Sequence, residues 1–155
     1  NWKNTMSKDL GLFIVNGSFD LILEDGDLKG DGGLETAVAI SLFSDQRVTS
    51  EEAPFGVDGL RGWWGDTLSD IDKDKIGSKL WLMERGKRTN IDLAKLQDYA
   101  KLSLEWLLRD GVASAIQVSG FFKDNETILD INISRPDKED ARYSLLWDAQ
   151  ELRRK

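Results

Sequence analysis

The sequence predicts an α+β domain: an N-terminal β-hairpin, two or three helices, and a C-terminal three-stranded antiparallel meander packed on the longest helix. Three observations carry this prediction. An Asn-Gly pair sits between two short apolar runs near the start. A helical apolar face runs from Leu93 to Leu107, and Gly111 follows it. Two-residue alternation then dominates the last third, from Val112 to Trp147. Strands, then helices, then strands give segregated rather than alternating layers.

Leu12–Val15 is the first apolar run, and Asn16-Gly17 is the strongest short hairpin signal because both residues tolerate positive φ. Phe19, Leu21 and Leu23 then alternate with Asp20, Ile22 and Glu24 as the return strand. The acidic, Gly-rich stretch 24–33 must turn, more than once. Leu34, Ala37, Val38, Ser41 and Leu42 share one helical face, with Glu35 in the first turn where the helix dipole favours a carboxylate. Asp45 to Gly62 holds Pro54 and three glycines and reads as a long ordered loop, a kind that is usually functional. Leu80–Met83 is a short helical piece.

Thr89 or Asn90 begins the long helix as its N-cap, and Asp92 reaches back. Leu93, Leu96, Ala100, Leu104 and Leu107 form its buried face, and Gly111 ends it in a left-handed conformation. Val112–Phe122 is a strand with Ile116, Val118 and Phe122 on one face. Asp124-Asn125 turns the chain, Thr127, Leu129, Ile131 and Ile133 mark the second strand, and Arg135-Pro136-Asp137 breaks it. Tyr143, Leu145 and Trp147 mark the last strand, with Glu151–Lys155 as a charged tail. There is no repeat or linker, so 1–155 is expected to be a single domain. Met6 reads as a natural start and 1–8 as a loose N-terminal extension.

The chain has no Cys and no His, which excludes disulfides, thiolate and histidine catalysis, and Cys/His zinc or haem sites. Its net charge is −7, and the first 75 residues hold 15 acidic against 7 basic residues. That balance argues against a nucleic-acid partner, which requires clustered Lys and Arg. No apolar run approaches a membrane span, and cytoplasmic synthesis is expected.

Four features compete for a functional role. The turn from Asp25 resembles a calcium loop, with Asp27 at position 3 and Gly30 at position 6. Lys29 at position 5 and Thr36 at position 12 spoil the ligand set. It reads as a solvated turn, and neither metal nor cofactor is expected. Glu35 with Asp45 or Asp66 satisfies the composition of a carboxylate-pair glycosidase, but no spacing singles out a pair. The segment from Phe55 through Arg61 to the adjacent Trp63-Trp64 has interface hot-spot character, because neighbouring rings in extended chain do not easily enter one core, with Trp as core filler the alternative for either ring. The C-terminal meander offers an edge for strand addition, which Lys138, Glu139, Asp140 and Arg142 can also protect.

Leu34-Glu35-Thr36-Ala37-Val38, Ser41-Leu42-Phe43-Ser44-Asp45-Gln46-Arg47 and Arg61-Gly62-Trp63-Trp64-Gly65-Asp66, together with Arg135-Pro136-Asp137 and the segment 143–147, resemble the small tail protein of Mu-like phages and prophages. The resemblance covers about residues 9–148, and the 61–66 motif is specific. It departs at Gln46 and in the variable loop from Val48 to Gly59. That family is similar in turn to the small baseplate wedge protein of T-even phages, whose relatives carry a lysozyme-like label. Asp45-Gln46-Arg47 and Pro54-Phe55-Gly56 stand where those relatives have a Gly-Glu-Arg-type tripeptide and a Pro-aromatic-Gly. Gln46 replaces the tripeptide's carboxylate.

The resemblance implies a non-enzymatic structural subunit of a contractile tail baseplate wedge, located in the virion. It would meet larger wedge proteins and the sheath in a hetero-oligomeric assembly, without nucleic acid or membrane. Strand addition at the meander would suit the sheath contact. Arg47, Phe55, Trp63, Trp64 and Asp66 are the expected partner-binding or loop-ordering residues. A tail-associated peptidoglycan hydrolase using carboxylates is the alternative, and a cytoplasmic adaptor sharing the fold is the third reading.

Overall fold

The computed structural model describes residues 9–15, 18–25, 27–28, 30–31, 34–53, 59–62, 66, 75–84, 87–148 and 151–154. The N-terminal strands are β1 (Asp9–Leu10), β2 (Phe13–Val15), β3 (Ser18–Asp20), β4 (Leu23–Glu24), β5 (Asp27–Leu28) and β6 (Gly30–Asp31). β2 and β3 form the predicted hairpin, with Val15 opposite Ser18 across positions 16 and 17. The expected return strand does not continue to Glu24. Asp20 Oδ1 accepts the Leu21 N–H at 2.8 Å, and the chain turns into a second hairpin, β4–β5. A short polar side chain that binds nearby backbone competes with the ladder in this way. β1 pairs with β6 and encloses both hairpins. Thr36 Oγ1 accepts the Leu12 N–H at 3.0 Å and ties this region to the first helix.

Helix α1 runs over Glu35–Phe43 and buries Val38, Ala39, Ser41 and Leu42. A short 3₁₀ helix, Leu80–Met83, follows the loop region. Helix α2 (Asn90–Leu104) starts as expected: Thr89 Oγ1 accepts the Asp92 N–H at 3.1 Å and donates to Asp92 Oδ2 at 2.9 Å. The long helix is interrupted, however. At Glu105 the bonding tightens to Glu105 N–H with Leu102 O, and Trp106–Arg109 continues as the single turn α3. Ser103 Oγ donates to Ala100 O at 2.8 Å just before the break, and such back-bonding bends helices. Gly111 then turns the chain at φ +70°.

β7 (Ala115–Lys123), β8 (Glu126–Arg135), β9 (Lys138–Leu146) and β10 (Glu151–Arg154) form an antiparallel sheet in the order β10-β9-β8-β7. The predicted meander is its first three strands. The tail from Glu151 is the fourth strand, with Leu152 opposite Leu145 and 8% exposed. Four residues carry too little alternation to announce a strand; the burial of Leu152 and pairing to an existing edge supply the stability. β10 reaches back only to Tyr143, so Lys138–Arg142 of β9 have no strand beside them on that side among the described residues.

The core lies between sheet and helices. Leu96, Ala100, Leu104 and Leu107 meet Ile116, Leu129, Ile131, Ile133, Tyr143 and Leu145, and Val38, Ala39 and Leu42 close the end. Full burial of each large aliphatic side chain is worth about 1.5–3 kcal/mol. α2 leans over β7. Gly120 lies so close beneath it that a Cβ there would stand 2.8 Å from Leu93 Cδ1 and Leu129 Cδ2, and its N–H donates to Gln97 Oε1 at 3.2 Å.

Candidate functional site

The end of α1, the loop beyond it and the 75–84 segment meet in one junction. Ser44 leaves the helix in extended conformation. Its carbonyl accepts the Ser78 N–H at 2.8 Å, and the Ser78 carbonyl accepts the Gln46 N–H at 2.9 Å, a parallel bridge centred on Asp45 and Ser78. The buried Ser78 hydroxyl donates to Leu42 O at 2.7 Å and accepts the Leu80 N–H at 3.2 Å. One serine thereby satisfies an orphan carbonyl of α1 and an orphan donor of the 3₁₀ helix. Trp81 Nε1–H donates to Gln46 O at 2.9 Å, and Val48 N–H to Leu60 O at 3.2 Å.

Arg61 is the hub of the exposed side. Its guanidinium donates to Asp45 Oδ2 at 3.0 Å and, in a fork, to Glu84 Oε1 at 3.1 Å and Oε2 at 3.2 Å. It lies 4.7 Å from the centroid of the Trp81 ring. Planar, bidentate and stacked contacts of this kind suit Arg and not Lys. The hydrogen bond to Glu84, followed by that to Asp45, holds the guanidinium pKa above its ordinary value. Arg61 has φ +43° and Gly62 φ +103°, so two consecutive left-handed residues turn the backbone here. Gly62 lies directly against the backbone of Arg47, whose side chain is exposed. An open groove of about 620 Å³ runs beside Arg61, walled by Ile40, Phe43 and Ile76.

A second ion pair braces the loop: Lys79 Nζ stands 2.5 Å from Glu52 Oε1, and Glu52 Oε2 accepts the Thr49 N–H at 3.1 Å. The hydrogen bond from Lys79 is the main cause, and the Thr49 N–H the next, of a Glu52 pKa below the ordinary 4.5. A depressed carboxyl pKa contributes stability above about pH 4.5 that is lost as pH falls through the lower folded value. The pair is solvent-exposed, so the contribution is small. Melting temperatures from pH 6 to pH 3 are expected to show it: Glu52→Gln melts slightly below the parent at pH 6, and the two curves converge at pH 3. A constant offset across that range would refute the assignment.

Of the residues singled out in the sequence, Arg47 and Asp66 are brought to this junction. Asp66 Oδ1 accepts the Ile76 N–H at 3.2 Å, and its Oδ2 is buried without a hydrogen-bond partner among the described residues. Phe55, Trp63 and Trp64 lie outside the described residues. Sequence reasoning singled out Arg61 but not its role as the hub, and it missed Trp81, Glu84 and Ser78 as binding elements of the junction. Arg61 was visible as the first residue of the 61–66 motif, whereas the others carry no local signal.

Glu35 opens α1, whereas Asp45 lies two residues beyond its last residue, Phe43, in the bridge to Ser78 and bonded to Arg61. Among the described residues no group of three acidic side chains is arranged to hold a metal ion, and no helix is long and apolar enough to cross a membrane.

Sheet, helices and junction define an α+β domain whose distinctive part is a surface loop junction built on arginine and tryptophan. The chain belongs to the phage protein GP46 family, whose model matches residues 34–140, a span that contains the junction, α2 and most of the sheet. It is 43% identical over 111 residues to the baseplate protein gp46 of Escherichia phage Mu, covering 71% of this chain and 74% of that protein. It is likewise 43% identical over 110 residues to the Mu-like prophage FluMu protein gp46 of Haemophilus influenzae, covering 71% and 73%.

Proposed function

We propose that this chain is a structural subunit of the tail baseplate of a Mu-like phage or prophage. We further propose that it works in the wedge, as one domain, in contact with larger wedge proteins and the sheath. The observation that carries the reading is the 43% identity to the Mu baseplate protein. Its mechanism is mechanical: it holds neighbours in one arrangement and passes a change on, which requires different contacts in the two states.

Two surfaces serve this role. The first is the junction with Arg47 and Asp66, and with them Phe55, Trp63 and Trp64 of the sequence between, as residues that meet partners or order the loop that does. The second is a sheet edge. α2 and Gln97 cover the β7 edge, whereas Lys138–Arg142 of β9, where Glu139 O already accepts the Arg135 Nε–H, and the outer side of β10 have no strand beside them among the described residues and would take an added one.

A mass-spectrometric inventory of tails purified from an induced lysate tests the reading. The chain is expected at a fixed low copy number beside sheath and tube proteins, and intact tails without it would end the proposal. Trp64→Ala is expected to abolish incorporation with the melting temperature unchanged. A large fall in melting temperature would assign Trp64 to the fold instead.

A further inference from the structure

The N-terminal strands form three two-stranded ladders, β1–β6, β2–β3 and β4–β5, each two or three residues long. Among the described residues none of them pairs with the C-terminal sheet. A lone two-stranded hairpin is marginal in water without a third strand or a packed face. Leu21 and Leu23 lie where the first hairpin passes into the second. Leu21 is 45% exposed, and Leu23, at 71%, is the most exposed large apolar side chain among the described residues. Exposed apolar surface on a module this thin marks a contact site rather than a core.

Charge is concentrated in the same stretch. Residues 9–31 hold six acidic residues and one lysine, a net −5 of the whole chain's −7. Asp20, Asp25 and Asp27, beside the two leucines, are exposed. Asp20 and Asp25 have no cationic partner among the described residues. Asp20 bonds the Leu21 N–H instead, and Asp25 sits in the turn of the second hairpin at φ +54°.

We propose that this module docks on a neighbouring tail protein at an apolar hollow rimmed by Lys or Arg. Leu21 and Leu23 fill the hollow, and Asp20, Asp25 and Asp27 face the rim. The proposal rests on the baseplate reading. An acidic surface would repel the module, and a polar uncharged one would leave its leucines wet. Docking also supplies the packed face that the two-stranded ladders lack.

The test places a photo-crosslinking amino acid at position 23 of the full chain in assembled tails, with position 91, 70% exposed, as the control. The expected product joins position 23, and not position 91, to a Lys- or Arg-rich surface of another tail protein. Its yield is expected to fall at least tenfold with D20N/D25N/D27N, and to fall as salt is raised. L21S/L23S is expected to reduce incorporation at least tenfold with the melting temperature unchanged. A large fall in melting temperature would assign the leucines to the fold and overturn the proposal. So would cross-linking to an acidic surface, to a second copy of this chain or to nothing, when the chain is present in the particles.

If the particles lack the chain, it is the baseplate reading that fails. The module is then tested on the purified chain by fluorescence anisotropy, with a labelled hexapeptide of alternating Lys and Leu and its Glu-for-Lys counterpart. At least tenfold preference for the basic peptide, lost in D20N/D25N/D27N and weakened in L21S/L23S, supports the acidic apolar module as the site. Equal binding, no binding or a preference that survives both variants overturns it.

Discussion

Gly77→Ala is expected to lose about 3 kcal/mol of stability, because a left-handed residue becomes strained and a backbone contact becomes a clash. Gly77 has φ +100°, and a Cβ there would stand 2.4 Å from Ser44 O, 2.8 Å from Ser44 C and 3.0 Å from Gln46 N. All three atoms are backbone, and they belong to the strand-like bridge between Ser44–Gln46 and Ser78. Relief therefore requires moving the end of α1 or breaking the bridge. For a chain of this size the melting temperature should fall by about 6–12 °C. Gly59→Ala is the control. It has φ +83° but nothing within 4 Å among the described residues, so it carries conformational strain alone, about 1 kcal/mol. Thermal melts of the two variants separate clash from strain; equal melts would show that the close approach at Gly77 is absent.

Leu129→Ala is expected to cost about 2–5 kcal/mol, the range for removing a fully buried leucine from a core that closes only in part. Leu129 is wholly buried at the centre of β8. Its Cδ2 also fills the space in which a side chain at Gly120 would sit. Gly120→Ala alone should therefore destabilise, and the pair should be non-additive. The double variant is expected to lose about 1 kcal/mol less than the sum, a coupling within the usual span for touching residues. Denaturant titration of the four proteins measures it. Simple additivity would mean that Leu93 Cδ1 and Gln97 Cγ, at 2.8 and 3.1 Å from the same point, set the closeness of helix and strand.

Periodicity carried the elements that bury a face. Leu96, Ala100, Leu104 and Leu107 on the helical side, and Leu129, Ile131, Ile133, Tyr143 and Leu145 on the sheet side, repeat at 3.6 or 2 residues and meet in the core. The Thr89 cap, the Gly111 stop and the Asp124-Asn125 turn are local chemistry and stood in the sequence for the same reason. β10 and the break at Glu105 were not legible. The first depends on an edge that exists only once β9 is in place, and the second on a hydroxyl–carbonyl bond between neighbours on the helix.

The junction divides in the same way. The sequence pointed to the 45–66 region through its Gly, Trp and Arg residues. It could not show that Arg61 bonds Glu84, 23 positions away, or that Ser78 serves two helix ends.

By itself, then, the sequence determined the α+β class, the core faces, the helix start and the exclusion of Cys and His chemistry. Each of these follows from short-range pattern or composition. Only the tertiary structure decided which arginine is the hub and which edge of the sheet lies under α2. Those features arise from atoms brought within a few ångströms across long stretches of chain, and such distances have no signature in local order.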